Sequence, residues 1–407
     1  MSGRRVVVTG LGAVSPLGAD VAGFWQALVD GRNGIGPLTK LDPEEAGVSI
    51  AAEVHAFDSA AYVDGRTARL VDPTAVLFLA AAEEALADAS LSEPADPGAV
   101  AVIAGVDSAM EAAGRTAVGL HTAGQLGVDA YALVQGLPNT ATGLVSRRFG
   151  LRGPHFAISA ACAGGAVALL HAANLIRLGD VDAAVAGAAL VLDRSLVAAC
   201  LSARVLSRCP DPARASRPFD RDRDGFVLSE GSAALVLEEL GHARRRGAPA
   251  YAELLGGCQT SSIAGFTVND ADDCAACIRR ALARAGVEPD GIDLVSAHAP
   301  STPLGDRQEA EALNAVFNGR RVPVFAAKSS LGHSMAATAA LESIASVLAI
   351  RDGVAPPTLH YEVPDPECDV DCIPGSARRL PVRRVLKNAF GFGGVNCSLV
   401  FGAPADA

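Results

Sequence analysis

Three side chains suited to acyl chemistry stand at the ends of apolar runs. Cys162 follows HFAIS and precedes Gly164, Gly165 and an Ala-rich helical stretch. His298 ends IDLVSAH, just before Ala299-Pro300-Ser301-Thr302-Pro303. His333 closes the run Lys328-Ser329-Ser330-Leu331-Gly332-His333. A thiol at a strand-to-helix turn meets the unpaired N–H groups and positive dipole end of the helix, which favour a thiolate. Glycines beside it let a substrate carbonyl or a backbone come close. A free cysteine is most often an inert core residue, and a single histidine is more often structural. One cysteine with two strand-end histidines, however, is a residue set for thiol-based acyl chemistry.

The elements that must position these residues are short apolar runs such as RRVVVTGLG, GAVAVIAGV, DAAVAGAALV, IDLVSAH and VPVFAAKSS. Each is bounded by Gly, Pro or charge, as buried strands are. Between them lie helix-spaced stretches such as TAVLFLAAAEEALADA, GAVALLHAANLIRLG and AALESIASVLAI. Strands alternating with helices predict an α/β fold in which helices cover buried sheets. Three titratable groups ending three strands can then converge at one face. Two junctions read alike: HFAIS-AACAGG-AVALLHAANLIRLGD and VPVFAAKSS-LGHS-MAATAALESIASVLAIRDG. Their likeness suggests an internal duplication, with a half at 1–250 carrying the nucleophile and a half at 251–407 carrying both histidines.

Composition narrows the partners. The 407 residues are 50% hydrophobic and 19% charged, with a formal net charge of −11, which excludes a disordered chain and argues against nucleic acid. Nine cysteines spread over this length read as reduced thiols of a cytoplasmic protein rather than a disulfide framework. Arg4-Arg5 and the following apolar run resemble a signal peptide only faintly, because Gly, Thr and Pro interrupt it. No charge lies between Arg152 and Arg177, but Ser159, His171 and Asn174 within that stretch favour a buried strand and helix over a membrane span.

Competing motifs fail. Gly10-Leu11-Gly12 has Ser15 at the third glycine position of a dinucleotide fingerprint. Cys274 and Cys277 lack a second pair at zinc spacing, and no metal is expected. Cys368 and Cys372 sit among acids that would raise their thiols and leave them inert.

Taken together, the segments resemble the β-ketoacyl-acyl-carrier-protein synthase (ketosynthase) family, elongating synthase II and its type II polyketide relatives most of all. The motifs are VVVTGLGAVSPLG, LRGPHFAISAACAGG, SRPFDRDRDGFVLSEGSAALVLEEL, SAHAPSTPLGDRQE, KSSLGHSMAATAALESI and NAFGFGGVNCSLVFG, in the family's order. The resemblance implies a thiolase-like fold of two similar halves in stacked αβαβα layers. It also implies an acyltransferase that condenses an acyl thioester with malonyl-carrier protein, with loss of carbon dioxide. Cys162 would accept the acyl chain, and His298 and His333 would promote decarboxylation and stabilise the enolate. Lys328 matches the family lysine and Glu342 an acid of the same polar network. Phe390 matches a gating phenylalanine, and the Phe392 N–H, with that of Cys162, would form the oxyanion hole. Substrates would arrive on the phosphopantetheine of an acyl carrier protein, and no permanent cofactor is implied.

Three departures touch the pantetheine side. Relatives commonly read HGTSTP where Pro300 here removes a hydroxyl and an N–H, although Thr302 remains. TACTSG-like hydroxyls are lost around Cys162, and TSSIAGFTVND replaces the HMTSP-like stretch. Altered substrate presentation and a secondary-metabolic, polyketide-type pathway are the reading; fatty-acid synthesis is the other pathway open. Two alternatives remain: acyl transfer without condensation, and a non-catalytic chain-length-factor-like partner. Cys162 argues against the latter. A homodimer is favoured over a heterodimer with such a partner. Arg66, Arg69, Arg204, Arg208, Arg214 and Arg217 are candidates for a basic rim that docks an acidic carrier protein. DSAMEAAG at 107–114 is a candidate for setting chain length.

Overall fold

The computed structural model describes residues 3–55, 57–107 and 110–404, with Met110 described by its backbone only. Eleven strands form one mixed sheet among these residues. They are β1 (Val6–Val14), β2 (Val100–Gly105), β3 (His155–Ile158), β4 (Ala183–Leu190), β5 (Gly231–Glu239) and β6 (Ala252–Ser261). The rest are β7 (Leu294–Ser296), β8 (Pro323–Phe325), β9 (Asp371–Cys372), β10 (Arg384–Gly391) and β11 (Val395–Gly402).

Their order is β9-β8-β7-β10-β11-β6-β1-β5-β4-β2-β3, and it contains one pattern twice. In the first half β3, β2 and β4 are parallel, and β5 and then β1 add antiparallel. In the second half β8, β7 and β10 are parallel, and β11 and then β6 add antiparallel. β9 extends the outer edge. Among the described residues the two half-sheets pair through Val7↔Glu253 and Val8↔Ala252.

Eight helices matter to the layers: α1 (Pro73–Asp88), α2 (Met110–Ala123), α3 (Thr140–Phe149), α4 (Gly164–Leu178), α5 (Arg194–Ala203), α6 (Ala271–Ala285), α7 (Pro303–Phe317) and α8 (Ala336–Asp352). Each parallel β-strand step needs a crossover, and α2, α3, α4, α7 and α8 supply it. Three apolar clusters result. Phe78, Leu79 and Val145 of α1 and α3 pack on Val102, Val185 and Val236. Ile278, Leu313 and Phe317 of α6 and α7 pack on Val295, Val324 and Leu386. Between the two half-sheets, Leu169 and Ile176 of α4 and Ile344 and Leu348 of α8 pack with Leu235 of one half and Phe401 of the other. That is the αβαβα layering of a thiolase-like fold.

The uncharged stretch is β3 and α4. The window Ala161–Leu178 is long and apolar enough to cross a membrane, yet two-thirds of it is buried inside the protein. α4 and α8 also end alike, on Gly179 (φ 86) and Gly353 (φ 63), each in the left-handed conformation that closes a helix. The glycines of the failed dinucleotide motif have a packing reason: a β-carbon on Gly12 would lie 1.9 Å from the Ala81 carbonyl oxygen of α1.

Candidate active site

β3 ends at Ile158, and one turn of tighter helix over Ala161–Ala163 leads into α4, so Cys162 sits at the helix mouth. Ala161 takes φ 46, and Met335, before α8, takes the same value. Such backbone is costly for a residue with a β-carbon and gathers at functional sites. The Cys162 sulfur is 3.7 Å from the Met335 sulfur, which brings the two matching turns into contact. Gly165 makes that possible: a β-carbon there would lie 2.6 Å from the Ala336 carbonyl oxygen. Of the two uses expected for these glycines, close approach of backbone is the one observed at Gly165.

The thiolate expectation is corrected. Burial above all, then the charge of Asp107, pushes the Cys162 thiol up to about 12, against the opposing pull of Lys328 and the Phe392 N–H. Cys162 is 7% exposed, and removing an anion from water outweighs what a helix end returns. At neutral pH Cys162 rests as a thiol.

β7 and β8 are neighbours and parallel, so the chain leaving each emerges at the same edge. His298 follows the first and His333 the second, and their rings stand edge to face with centroids 5.7 Å apart. Backbone bonds fix both. The His298 N–H donates to Glu309 Oε1 at 3.0 Å, and the Ala299 N–H to Oε2 at 2.7 Å. The His333 N–H donates to the Val227 carbonyl at 2.7 Å, and Phe226 packs edge-on against the ring at 5.0 Å. Thr338 Oγ1 lies 3.3 Å from His333 Nδ1. Burial first, then the Lys328 charge, holds both imidazoles well below the usual histidine range, so both are neutral at pH 7.

Behind the rings lies a dry ionic cluster. Lys328 Nζ is 2.8 Å from Glu342 Oε1 and donates to the His298 carbonyl. Lys387 Nζ is 2.8 Å from Glu342 Oε2. Asn388 donates through Nδ2 to Glu309 Oε1 at 3.0 Å and accepts at Oδ1 from the Ser398 hydroxyl at 2.9 Å. Glu309, Lys387 and Asn388 escaped sequence reasoning. Lys387 left a signal, being the one charge inside the apolar run VLKNAFG, where a buried charge demands a partner.

Phe390 is buried edge-on against the His298 ring at 5.9 Å, whereas Phe392 is 40% exposed and aims its N–H at the Cys162 sulfur. The departure at 260–270 lies beside this turn, with the Phe266 carbonyl accepting from the Gly393 N–H at 2.7 Å. Thr302 caps α7, its N–H donating to Asp306 at 3.1 Å.

Arg66 and Arg69 are exposed on a short helix, Gly65–Leu70, and Arg204, Arg208 and Arg214 are exposed on loops. Arg204 and Arg208 line one cavity of about 320 Å³ that reaches Phe226. Arg217 is corrected: it is buried and paired with Asp220 and Glu362, both at 3.2 Å, so it cannot meet a partner. Cys368 and Cys372 are both pushed up to about 12, but chiefly by burial rather than by the acids around them. Of the 107–114 stretch, Ser108 and Ala109 lie outside the described residues.

The repeated strand order thus sets a buried thiol at one junction and two neutral imidazoles beside a lysine at the other, and comparison with known proteins gives the chain its family. Residues 3–243 match the family description "Beta-ketoacyl synthase, N-terminal domain", and residues 251–362 match "Beta-ketoacyl synthase, C-terminal domain". The chain is 38% identical to 3-oxoacyl-[acyl-carrier-protein] synthase 2 of Coxiella burnetii, with all of both chains covered. It is 36% identical to the synthase of that name from Synechocystis, with 98% of each covered. The ishigamide ketosynthase/chain length factor superposes with a TM-score of 0.93 at 33% identity, over 99% of this chain and 100% of that one. A type II polyketide ketosynthase in complex with its acyl-carrier protein, bound to a hexaketide, gives 0.89 at 32% identity, over 99% and 100%. The chain belongs to the β-ketoacyl synthase family. It is an enzyme of acyl transfer.

Proposed function

We propose that the chain condenses an acyl thioester with malonyl-acyl carrier protein, releasing carbon dioxide. The observation that carries this reading is the pair of neutral imidazoles 5.7 Å apart at the ends of adjacent parallel strands. Neutral rings can donate hydrogen bonds to an oxygen that gains negative charge, and one well-aimed donor is worth roughly 3–4 kcal/mol. Cationic rings would instead trap a thiolate as an ion pair.

The first step moves the acyl group from the carrier thioester to Cys162. The sulfur–carbon bond to the enzyme forms, the bond to the carrier breaks, and the thiol proton ends on the departing carrier thiol. N–H groups of Cys162 and Phe392 face the tetrahedral oxyanion. In the second step the malonyl carboxylate leaves as carbon dioxide, and its electron pair becomes an enolate held by His298 and His333. The enolate carbon attacks the Cys162 thioester. A 3-oxoacyl-carrier thioester forms, and the released sulfur takes a proton.

Phosphopantetheine carries the substrates, and the hydroxyls lost at Pro300 and around Cys162, with the changed 260–270 segment, support a polyketide-type over a housekeeping fatty-acid substrate. Arg66, Arg69, Arg204 and Arg208 are proposed to meet the carrier protein, and a homodimer is the assembly proposed. Nine free cysteines suit a reducing, cytoplasmic setting.

Intact-mass measurement after incubation with acyl-carrier proteins tests the reading. The acyl mass should sit on Cys162, and added malonyl-carrier protein should remove it with release of carbon dioxide. Acyl transfer without carbon dioxide would leave a transferase only, and no loading at all would leave a partner subunit.

A further inference from the structure

Lys387 lies in the middle of β10, opposite Ser296 of β7 and Leu399 of β11, and is fully buried. Its ammonium donates to the Asn388 carbonyl and stands 2.8 Å from Glu342 Oε2, while Oε1 of that carboxylate is 2.8 Å from Lys328. One carboxylate thus faces two ammoniums, all three side chains being at most 1% exposed. Desolvating each ion costs several kcal/mol, and a tie between β10 and α8 would need only one pair. The second cation has another use, and the groups around the rings show what it is.

The positive charges that act on His298 and His333 are Lys328 from the turn before α8 and Lys387 from β10, and the two rings stand against each other. The acids nearby are Glu342 of α8, which both lysines hold, and Glu309 of α7, which accepts from the His298 and Ala299 N–H groups. Cys397 on the neighbouring strand is a neutral thiol, pushed up to about 12 by burial.

We propose, resting on the function given above, that Lys387 is a positioning residue for decarboxylation: it steadies Glu342, and through it Lys328 on the His298 carbonyl, and it places a second positive charge behind the rings so that they stay neutral donors. The direction of both histidine shifts agrees, since Lys387 contributes to lowering each.

The test is a pH titration of the imidazole resonances in full-length, histidine-labelled protein, assigned with His298→Asn and His333→Asn. Removing a nearby cation favours imidazolium, so in Lys387→Met and Lys387→Gln at least one of the two rings should titrate at higher pH than in the wild type. The acid limb of carbon dioxide release from malonyl-carrier protein should move the same way, with rates at pH 6 relative to pH 8 falling about threefold or more. Lys387→Arg should restore both. Unchanged ring titrations in folded Met or Gln variants would overturn the proposal and leave Lys387 a structural tie. Wild-type protein gives a check that needs no neutral variant to fold: nitrogen spectra of labelled lysines, assigned with Lys387→Arg, should show Lys387 as ammonium at pH 7, and a neutral amine there also overturns it. If the wild type releases no carbon dioxide at any pH, the proposed function fails, while the ring and lysine spectra still decide the place of Lys387.

Discussion

At the end of β3 the chain turns through Ala161 and Cys162 into α4; at the end of β8 it turns through Lys328–Leu331 and His333 into α8. The two junctions hold matching places in the repeated strand order, yet they are electrostatic opposites. The first is buried, and Asp107 is the charge that acts most on its sulfur, outweighing Lys328, so its thiol is held neutral. The second is as buried but holds Lys328 and Glu342, with Lys387 behind, so its ring is kept neutral by burial first and by those cations second. Burial alone silences a group. Burial with fixed charges aims it, because ion pairs set before the reaction need no reorganisation during it.

Four measurements would break or sharpen this contrast. The largest effect is expected from Cys162→Ala, which should reduce condensation by at least ~10⁴-fold and abolish the acyl mass, since the matching turn offers no second thiol. An acyl mass appearing elsewhere would break the contrast. Next, His298→Ala or His333→Ala should each lower carbon dioxide release by ~10²–10³-fold while acyl loading of Cys162 stays within ~10-fold. Equal loss of both steps would mean that the junctions do not divide the labour.

A smaller effect concerns the thiol. With its pKa pushed up to about 12, alkylation of Cys162 by iodoacetamide should rise about tenfold per pH unit from pH 7 to 9, because the thiolate fraction does so below the pKa. Peptide mass spectrometry would follow it, and a plateau below pH 9 would show a thiolate already formed. Smallest in functional terms, Gly165→Ala puts a β-carbon 2.6 Å from the Ala336 carbonyl and should cost ~1–3 kcal/mol, read as a lower urea midpoint. An unchanged midpoint would show that the two middle helices can part without penalty.

Much of this was legible in the chain itself. Cys162, His298 and His333 announced themselves because each ends an apolar run, and parallel strands put their ends together. Glu309 did not, since an acid in a helix becomes a clamp on the His298 and Ala299 amides only once α7 folds beneath that loop. The charge state of Cys162 also escaped, because a turn motif reports the helix end and says nothing about how much water reaches the sulfur. Arg217 was misread for a similar reason: its partner Glu362 is 145 residues away, and spacing along the chain cannot reveal the pair.

Among the described residues the two half-sheets share only the rungs Val7↔Glu253 and Val8↔Ala252. So thin a join does little to hold the halves in register, and that task falls to the pair of helices wedged between them and to the backbone bonds that tie His333 to Val227 and Ser229. Sulfur and imidazoles belong to opposite halves, so any slack in that wedge would be paid directly in the gap between the reacting atoms.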